Sequence, residues 1–285
     1  MMTTDFTTLV SADSLRTLLG SGRPLALIDT GFDLADVAAG ERSWREGHLP
    51  ASLYLHLDRD LSGPKTGTNG RHPLPPRDVF AATLGRCGVT PQTQVVAFDR
   101  QGGVYASRLW WMLRWMGHSA AAVLDGGVTA WLAAGGTLVT DASAPAAAPP
   151  YPERPTLAAT ISADALSAGL GRARLIDARA SERFRGDVEP LDTTAGHIPG
   201  ALNRFFKDNL DATSGRFKPA AQLRADFAPL LGPAGAAEVV HHCGSGVTAC
   251  HNLLAMEHAG LLGSVLYPGS WSEWSANPAR PVARG

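Results

Sequence analysis

Gly47-His48-Leu49-Pro50-Ala51 in the first half of the chain returns in the second as Gly196-His197-Ile198-Pro199-Gly200-Ala201, 149 residues later. The echo has company on both sides. Ser11-Ala12-Asp13-Ser14-Leu15 returns as Ser162-Ala163-Asp164-Ala165-Leu166 at an offset of 151, and Leu27-Ile28-Asp29 as Leu175-Ile176-Asp177 at 148. Val95-Val96-Ala97-Phe98-Asp99 aligns with Val239-Val240-His241-His242-Cys243 at 144, and Leu124-Asp125-Gly126-Gly127 with Leu266-Tyr267-Pro268-Gly269 at 142. The slow drift is what small loop deletions produce, so the 285 residues read as one domain written twice. Two copies are too few for a solenoid, and about 130 residues each are enough for a separate core.

Between the copies, Thr140 to Thr156 reads T-D-A-S-A-P-A-A-A-P-P-Y-P-E-R-P-T, an Ala- and Pro-rich composition that suits an extended connector. The expected division is therefore a first domain over 1–140, a linker over 141–156 and a second domain over 157–285. A composition of 45% hydrophobic and 18% charged residues allows an ordinary core and excludes a disordered chain. The formal charge of -1 gives no global reason to expect nucleic acid or an anionic membrane as partner. Met1-Met2-Thr3-Thr4-Asp5 lacks the basic start and apolar stretch of a signal peptide, and no run approaches the roughly 18 apolar residues of a membrane helix, so the expected location is cytoplasmic. Three cysteines, Cys87, Cys243 and Cys250, make no disulfide framework, so a special one is expected to be a reactive thiol.

Within each copy, short apolar runs (Leu25 to Asp29, Val95 to Asp99, Ala121 to Asp125) alternate with helical patterns (Ser107 to Met116, Ala130 to Ala134). This alternation predicts an α/β fold, each domain a mainly parallel sheet with helices on both faces. Ligands in such sheets sit at the carboxyl ends of strands. Val239 to His242 reads as a buried strand with Cys243 at that end, and Thr248 to Met256 as the helix that follows. In the joining loop Cys243-Gly244-Ser245-Gly246-Val247-Thr248, two glycines permit positive φ, so successive N–H groups can turn inward as a nest. Nest and helix N-terminus together favour a thiolate on Cys243, or an anionic group attached to its sulfur.

On these residues the chain resembles the tandem-domain rhodanese-type sulfurtransferases over nearly its whole length. The loop C-G-S-G-V-T-A, the paired G-H-[LI]-P segments and Gly269-Ser270-Trp271-Ser272-Glu273-Trp274 carry the resemblance. The loop is most similar to that of 3-mercaptopyruvate sulfurtransferases. Thiosulfate sulfurtransferases usually carry basic residues directly after the cysteine, where Gly244 and Ser245 stand here.

The resemblance implies a ping-pong reaction in which Cys243 takes sulfur from 3-mercaptopyruvate, holds it as a persulfide and yields it to a thiol or cyanide acceptor. It implies no cofactor and no metal, with a small-molecule donor and a thioredoxin-like reductant as partners. It places Arg179 and Arg183 as substrate-binding arginines, since an Arg fork suits a carboxylate. The loop positions Gly244, Gly246, Val247 and Thr248 line the bound group. The family's further Arg after Glu-Pro is missing, because Glu189-Pro190 is followed by Leu191, and Arg185 is the candidate to replace it. Proton handling falls to Ser245 with His72 and Asp58, with Asp60 as the rival for the last place. Independently of the resemblance, Asp99 stands in the first copy where Cys243 stands in the second, and a carboxylate cannot carry a transferable sulfur. The first domain is therefore expected to be catalytically silent.

Other readings compete. His241, His242 and His251 near Cys243 raise a metal site, but neighbours on a strand point to opposite faces and a full ligand set is missing. A tyrosine-phosphatase-type loop would be one residue longer and closed by an arginine where Ala249 stands. A persulfide carrier serving a protein acceptor would use the same Cys243, and thiosulfate is the alternative donor. Trp110, Trp111 and Trp115 at helical spacing read as packing, and His48 and His197 as residues that fix their turns.

Overall fold

The computed structural model describes residues 5–141 and 146–285. The start of the chain at 1–4, read above for a leader, and positions 142–145 of the expected linker lie outside the described residues. In the first copy, strands β1 (Leu9–Val10), β2 (Leu25–Asp29), β3 (Ser52–Tyr54), β4 (Gln94–Phe98) and β5 (Ala121–Leu124) form one sheet in the order β1-β5-β4-β2-β3. In the second, β6 (Arg174–Asp177), β7 (Leu202–Asn203), β8 (Val239–His242) and β9 (Val265–Leu266) form another in the order β7-β6-β8-β9. All strand pairs are parallel. The copies superimpose in topology: β6 answers β2, β7 β3, β8 β4 and β9 β5. An isolated parallel bridge between Thr160 and Leu266 stands where β1 pairs with β5.

The repeated sequences mark repeated devices. Ser11 and Ser162 are N-caps, their Oγ accepting from Ser14 N–H at 3.1 Å and Ala165 N–H at 3.2 Å, which starts equivalent helices at Ala12 and Ala163. His48 Nδ1 is bonded to Trp44 O and its ring stacks on Trp44 at 4.1 Å. His197 Nδ1 is bonded to Phe184 O and its ring stacks on Phe184 at 3.9 Å. Each His residue also anchors an antiparallel bridge, His48 to Val139 and His197 to Ala283.

All five residues of β4 are buried, as both faces of a parallel sheet require. Leu27, Val96, Phe98, Ala122 and Leu124 meet Leu15, Leu18, Val128 and Trp131 on one face, and the helix Ala106–Trp115 covers β4 and β5. Trp110 and Trp111 are buried, and Trp111 stacks on Trp115, so the tryptophan stripe is packing. The second sheet is covered by the helix Thr248–His258 and by a core including Leu166, Ile198, Tyr267, Trp271 and Trp274. Among the described residues, no helix is long and apolar enough to cross a membrane.

The division of the chain departs from 1–140 and 157–285. One compact unit takes residues through Ser62, Pro75–Leu157 and Ser214–Arg216; the other takes Gly63–Leu74, Ala158–Thr213 and Phe217–Gly285. The segment Gly63–Leu74 is a loop closed by Gly63 N–H donating to Pro73 O at 2.8 Å, and its Arg71 N–H donates to Ser272 Oγ at 3.0 Å. The described end of the linker is exposed along most of its length but is tied to the first unit around Tyr151. Ala148 N–H donates to Gly85 O and Tyr151 N–H to Ala81 O, both at 2.9 Å, while the buried Tyr151 hydroxyl is bonded to His118 Nδ1.

Candidate active site

β8 is buried along its length, which leaves its carboxyl end as the place where the chain can meet a ligand, and Cys243 is the next residue. Its side chain is nearly enclosed, at 1% exposure, and Sγ accepts the Gly246 N–H at 3.1 Å. The loop is pinned from behind. Cys243 N–H donates to Ser270 Oγ at 3.1 Å, and the N–H groups of Trp271 and Ser272 donate to the Cys243 and Gly244 carbonyls, both at 2.9 Å. The start of the helix Ser270–Trp274 therefore draws the loop carbonyls outward. Amides of Gly244, Ser245, Val247 and Thr248 donate to no described residue, and Val247 caps the helix Thr248–His258.

The expectation of two glycines in the positive-φ region holds for one. Gly246 sits at φ 78°, and a β-carbon there would strike the Pro268 carbonyl. Gly244 is absent from that region; its lack of a side chain has a different use, below. Gly246→Ala is expected to cost roughly 100-fold in kcat/KM, because strain and collision move the amide that donates to Sγ. Steady-state kinetics of the variant beside its far-UV circular dichroism would check this, with loss under about fivefold showing that the loop tolerates the shift.

Ser245 Oγ is hydrogen-bonded to His72 Nδ1 at 2.8 Å, and both residues are buried. Thus the structure brings together Cys243, Ser245 and His72, the last through the early loop Gly63–Leu74. Asp58 and Asp60 lie in the other unit, on the short helix Leu57–Asp60. Asp60 is committed there: Oδ2 accepts from His56 N–H at 2.9 Å and Oδ1 lies 3.6 Å from Arg86 Nη2.

Arg179 is a correction. It is 2% exposed, and its Nε and Nη2 are spent on the Asp177 carboxylate, Nη2 also on Gly196 O at 2.7 Å, and Nη1 on Glu189 Oε2 at 3.3 Å. Its guanidinium lies 4.8 Å from the Trp271 ring centroid. It ties the end of β6 to the Gly196 turn and leaves little for a substrate. Arg185, the candidate to replace the missing arginine, is paired with Asp187 at 2.8 Å on an exposed helix end. Arg183 does reach the loop, with Nη1 3.4 Å from where a Gly244 β-carbon would stand and Nη2 on Glu189 Oε1 at 2.6 Å. The sequence reading missed Arg71, whose Nη2 lies 2.8 Å from that same point. Only its place beside His72 in Gly70-Arg71-His72 hinted at it.

The histidines near the strand end separate. His241 Nε2 meets Met256 Sδ at 3.0 Å, and burial pushes its imidazole down to about 3. Burial also lowers His242, partly opposed by Asp177, whose Oδ2 lies 3.8 Å from Nδ1. His251 is stacked on Phe217. Cys250 Sγ donates to Gly246 O at 3.3 Å. Cys87 is buried in the first unit, where burial pushes its thiol up to about 11.

In the first unit the equivalent loop is already occupied. Asp99 Oδ1 accepts the N–H groups of Gln101 and Gly103 at 2.9 and 2.8 Å, and Oδ2 those of Tyr105 and Ala106 at 2.9 and 3.0 Å. A nest of four amides is closed around a permanent carboxylate.

Comparison with known proteins gives the family. The rhodanese-like domain matches residues 11–134 and again 162–277. The chain is 44% identical over 97% of its length, and 98% of the relative's, to a Pseudomonas aeruginosa protein named "Probable 3-mercaptopyruvate sulfurtransferase". It is 32% identical to the thiosulfate sulfurtransferase of Gallus gallus, over 93% of this chain and 92% of that one. Among solved structures, SseA from Escherichia coli, described as a 3-mercaptopyruvate sulfotransferase with the rhodanese fold, matches at a TM-score of 0.76 and 26% identity, covering 93% of this chain and 99% of that one. Two matched copies, one with its nest filled by Asp99 and one opening on Cys243, place the chain in the rhodanese-like family.

Proposed function

We propose that the protein is a sulfurtransferase that moves sulfur from 3-mercaptopyruvate to a thiol or cyanide acceptor through a persulfide on Cys243. The single observation that carries this is the Gly246 amide donating to Cys243 Sγ inside a loop whose carbonyls are pinned outward, beside a hydrogen-bonded Ser245–His72 pair. Cys243 thiolate attacks the substrate sulfur; the carbon–sulfur bond breaks and its electron pair leaves with pyruvate as the enolate. The sulfur stays on Cys243, where unpartnered loop amides suit the terminal sulfur anion. Ser245 passes a proton to the enolate while His72 polarises its hydroxyl. Acceptor attack on the outer sulfur regenerates the Cys243 thiolate. A thioredoxin-like dithiol fits the acceptor role, since its second thiol can release the sulfur as sulfide. The three cysteines form no disulfide, which suits a reducing compartment, for which the cytoplasm is proposed.

Mass spectrometry after brief exposure to 3-mercaptopyruvate should find a gain of about 32 Da, one sulfur atom, on the peptide carrying Cys243. No gain there, with pyruvate still formed, would overturn the persulfide route. Replacing His72 by Asn is expected to lower kcat for 3-mercaptopyruvate by roughly 100-fold with little change in KM, the ordinary worth of a proton-transfer partner. A loss confined to KM would instead make His72 a binding residue.

A further inference from the structure

Gly244 carries no side chain, yet the space into which one would project is filled. Arg71 Nη2 lies 2.8 Å from the position of its β-carbon, and Arg183 Nη1 and Nη2 at 3.4 and 3.7 Å. Two guanidinium groups side by side repel, and here buried acids hold them in place. Arg71 Nη1 donates to Asp192 Oδ1, and Arg183 Nη2 donates to Glu189 Oε1 and lies 3.6 Å from Asp192 Oδ2. The acids are themselves ordered: Glu189 Oε1 accepts the N–H groups of Leu191 and Asp192 at 3.1 and 3.3 Å. The side chains of Arg71 and Arg183 keep 26% and 18% exposure, so both remain reachable by a ligand. Arg71 Nη2 and Arg183 Nη1 donate to no described residue. These are the two atoms nearest the point at which a Gly244 β-carbon would stand.

We propose that Arg71 is a donor-specificity residue: with Arg183 it supplies, from 173 positions away in the chain, the positive charge that Gly244 does not carry, and so admits the dianion thiosulfate to Cys243. The inference rests on the sulfurtransferase reading. Cys243 thiolate attacks the outer sulfur of thiosulfate, the sulfur–sulfur bond breaks, and its electron pair leaves on sulfite, so charge balances with no proton transferred. The mercaptopyruvate route leaves an enolate that must be protonated. The donors therefore make different demands. Thiosulfate, with twice the charge, needs the arginine wall more, and mercaptopyruvate needs the Ser245–His72 pair more.

The test is a crossed comparison of kcat/KM for both donors in the wild type, Arg71→Met, Arg71→Lys and His72→Asn. Arg71→Met is expected to lose roughly 30-fold with thiosulfate, mostly in KM, and less than about fivefold with 3-mercaptopyruvate; lysine should recover much of the loss. His72→Asn should show the opposite bias. Equal losses with both donors in Arg71→Met, no recovery with lysine, or an unchanged donor ratio would each overturn the assignment of Arg71. Failure of the wild type to form a Cys243 persulfide with either donor would instead overturn the sulfurtransferase reading.

Discussion

Cys243→Ser is expected to lose sulfur transfer from either donor by on the order of 1,000-fold or more, the usual consequence of removing a covalent nucleophile. The hydroxyl fits the space, and Ser270 still accepts the backbone N–H of residue 243, so the fold should survive with a melting temperature within a few degrees of the wild type. What disappears is the chemistry: at neutral pH an alcohol supplies almost no anion, and oxygen cannot hold a sulfane sulfur for transfer. The other two cysteines provide the control. Cys250→Ser keeps a donor for the Gly246 carbonyl and should retain most activity. Cys87 lies in the first unit with its thiol pushed up by burial, so it remains protonated, and Cys87→Ser should act like wild type. Pyruvate release measured for all three variants decides the matter; comparable losses in all three would mean that the nucleophile is another group.

The elements read from periodicity stand in the structure with shifts of up to three residues. Val239–His242 is a strand as expected, the helix after the loop runs on from Met256 to His258, and the strand expected from Val95 begins at Gln94. These features are local: a buried parallel strand reads as an apolar run, and a capped helix as Ser-Ala-Asp. The site was legible wherever its chemistry is contiguous, as in Cys243 to Thr248. It was illegible where two distant segments meet, because nothing near Gly244 specifies that Arg71 will fill the space beside it. Arg179 shows another limit. Its place two residues beyond Asp177, at the end of a buried strand, lets the guanidinium fold back on that carboxylate, and a buried charge so paired is stable only if it stays paired. A family position for an arginine tells where the residue sits but not which acids it meets there.

Asp99→Ala is expected to destabilise the first unit by about 3 kcal/mol or more, which corresponds to a fall in its melting temperature of roughly 10 °C. The carboxylate is the acceptor for four backbone donors, and at 1% exposure water has little access to replace it. Asp99→Asn should fare no better, since its amide nitrogen would face two N–H groups and satisfy neither. Calorimetry of both variants would check this, and a shift below about 2 °C would show that the nest does not depend on its anion. The same experiment bears on why one copy is silent. Between strand and helix the first copy places Asp99 seven residues before Ala106, and the second places Cys243 five residues before Thr248. In both loops backbone amides donate to the side chain at the strand end, four to Asp99 and that of Gly246 to Cys243, but in the first the anion is a fixed part of the chain and contributes only to stability. On the proposed route, the amides of the second are left for a sulfur that arrives with one substrate and departs with the next, so the stabilisation that Asp99 supplies continuously would reach the fold around Cys243 only when the persulfide forms.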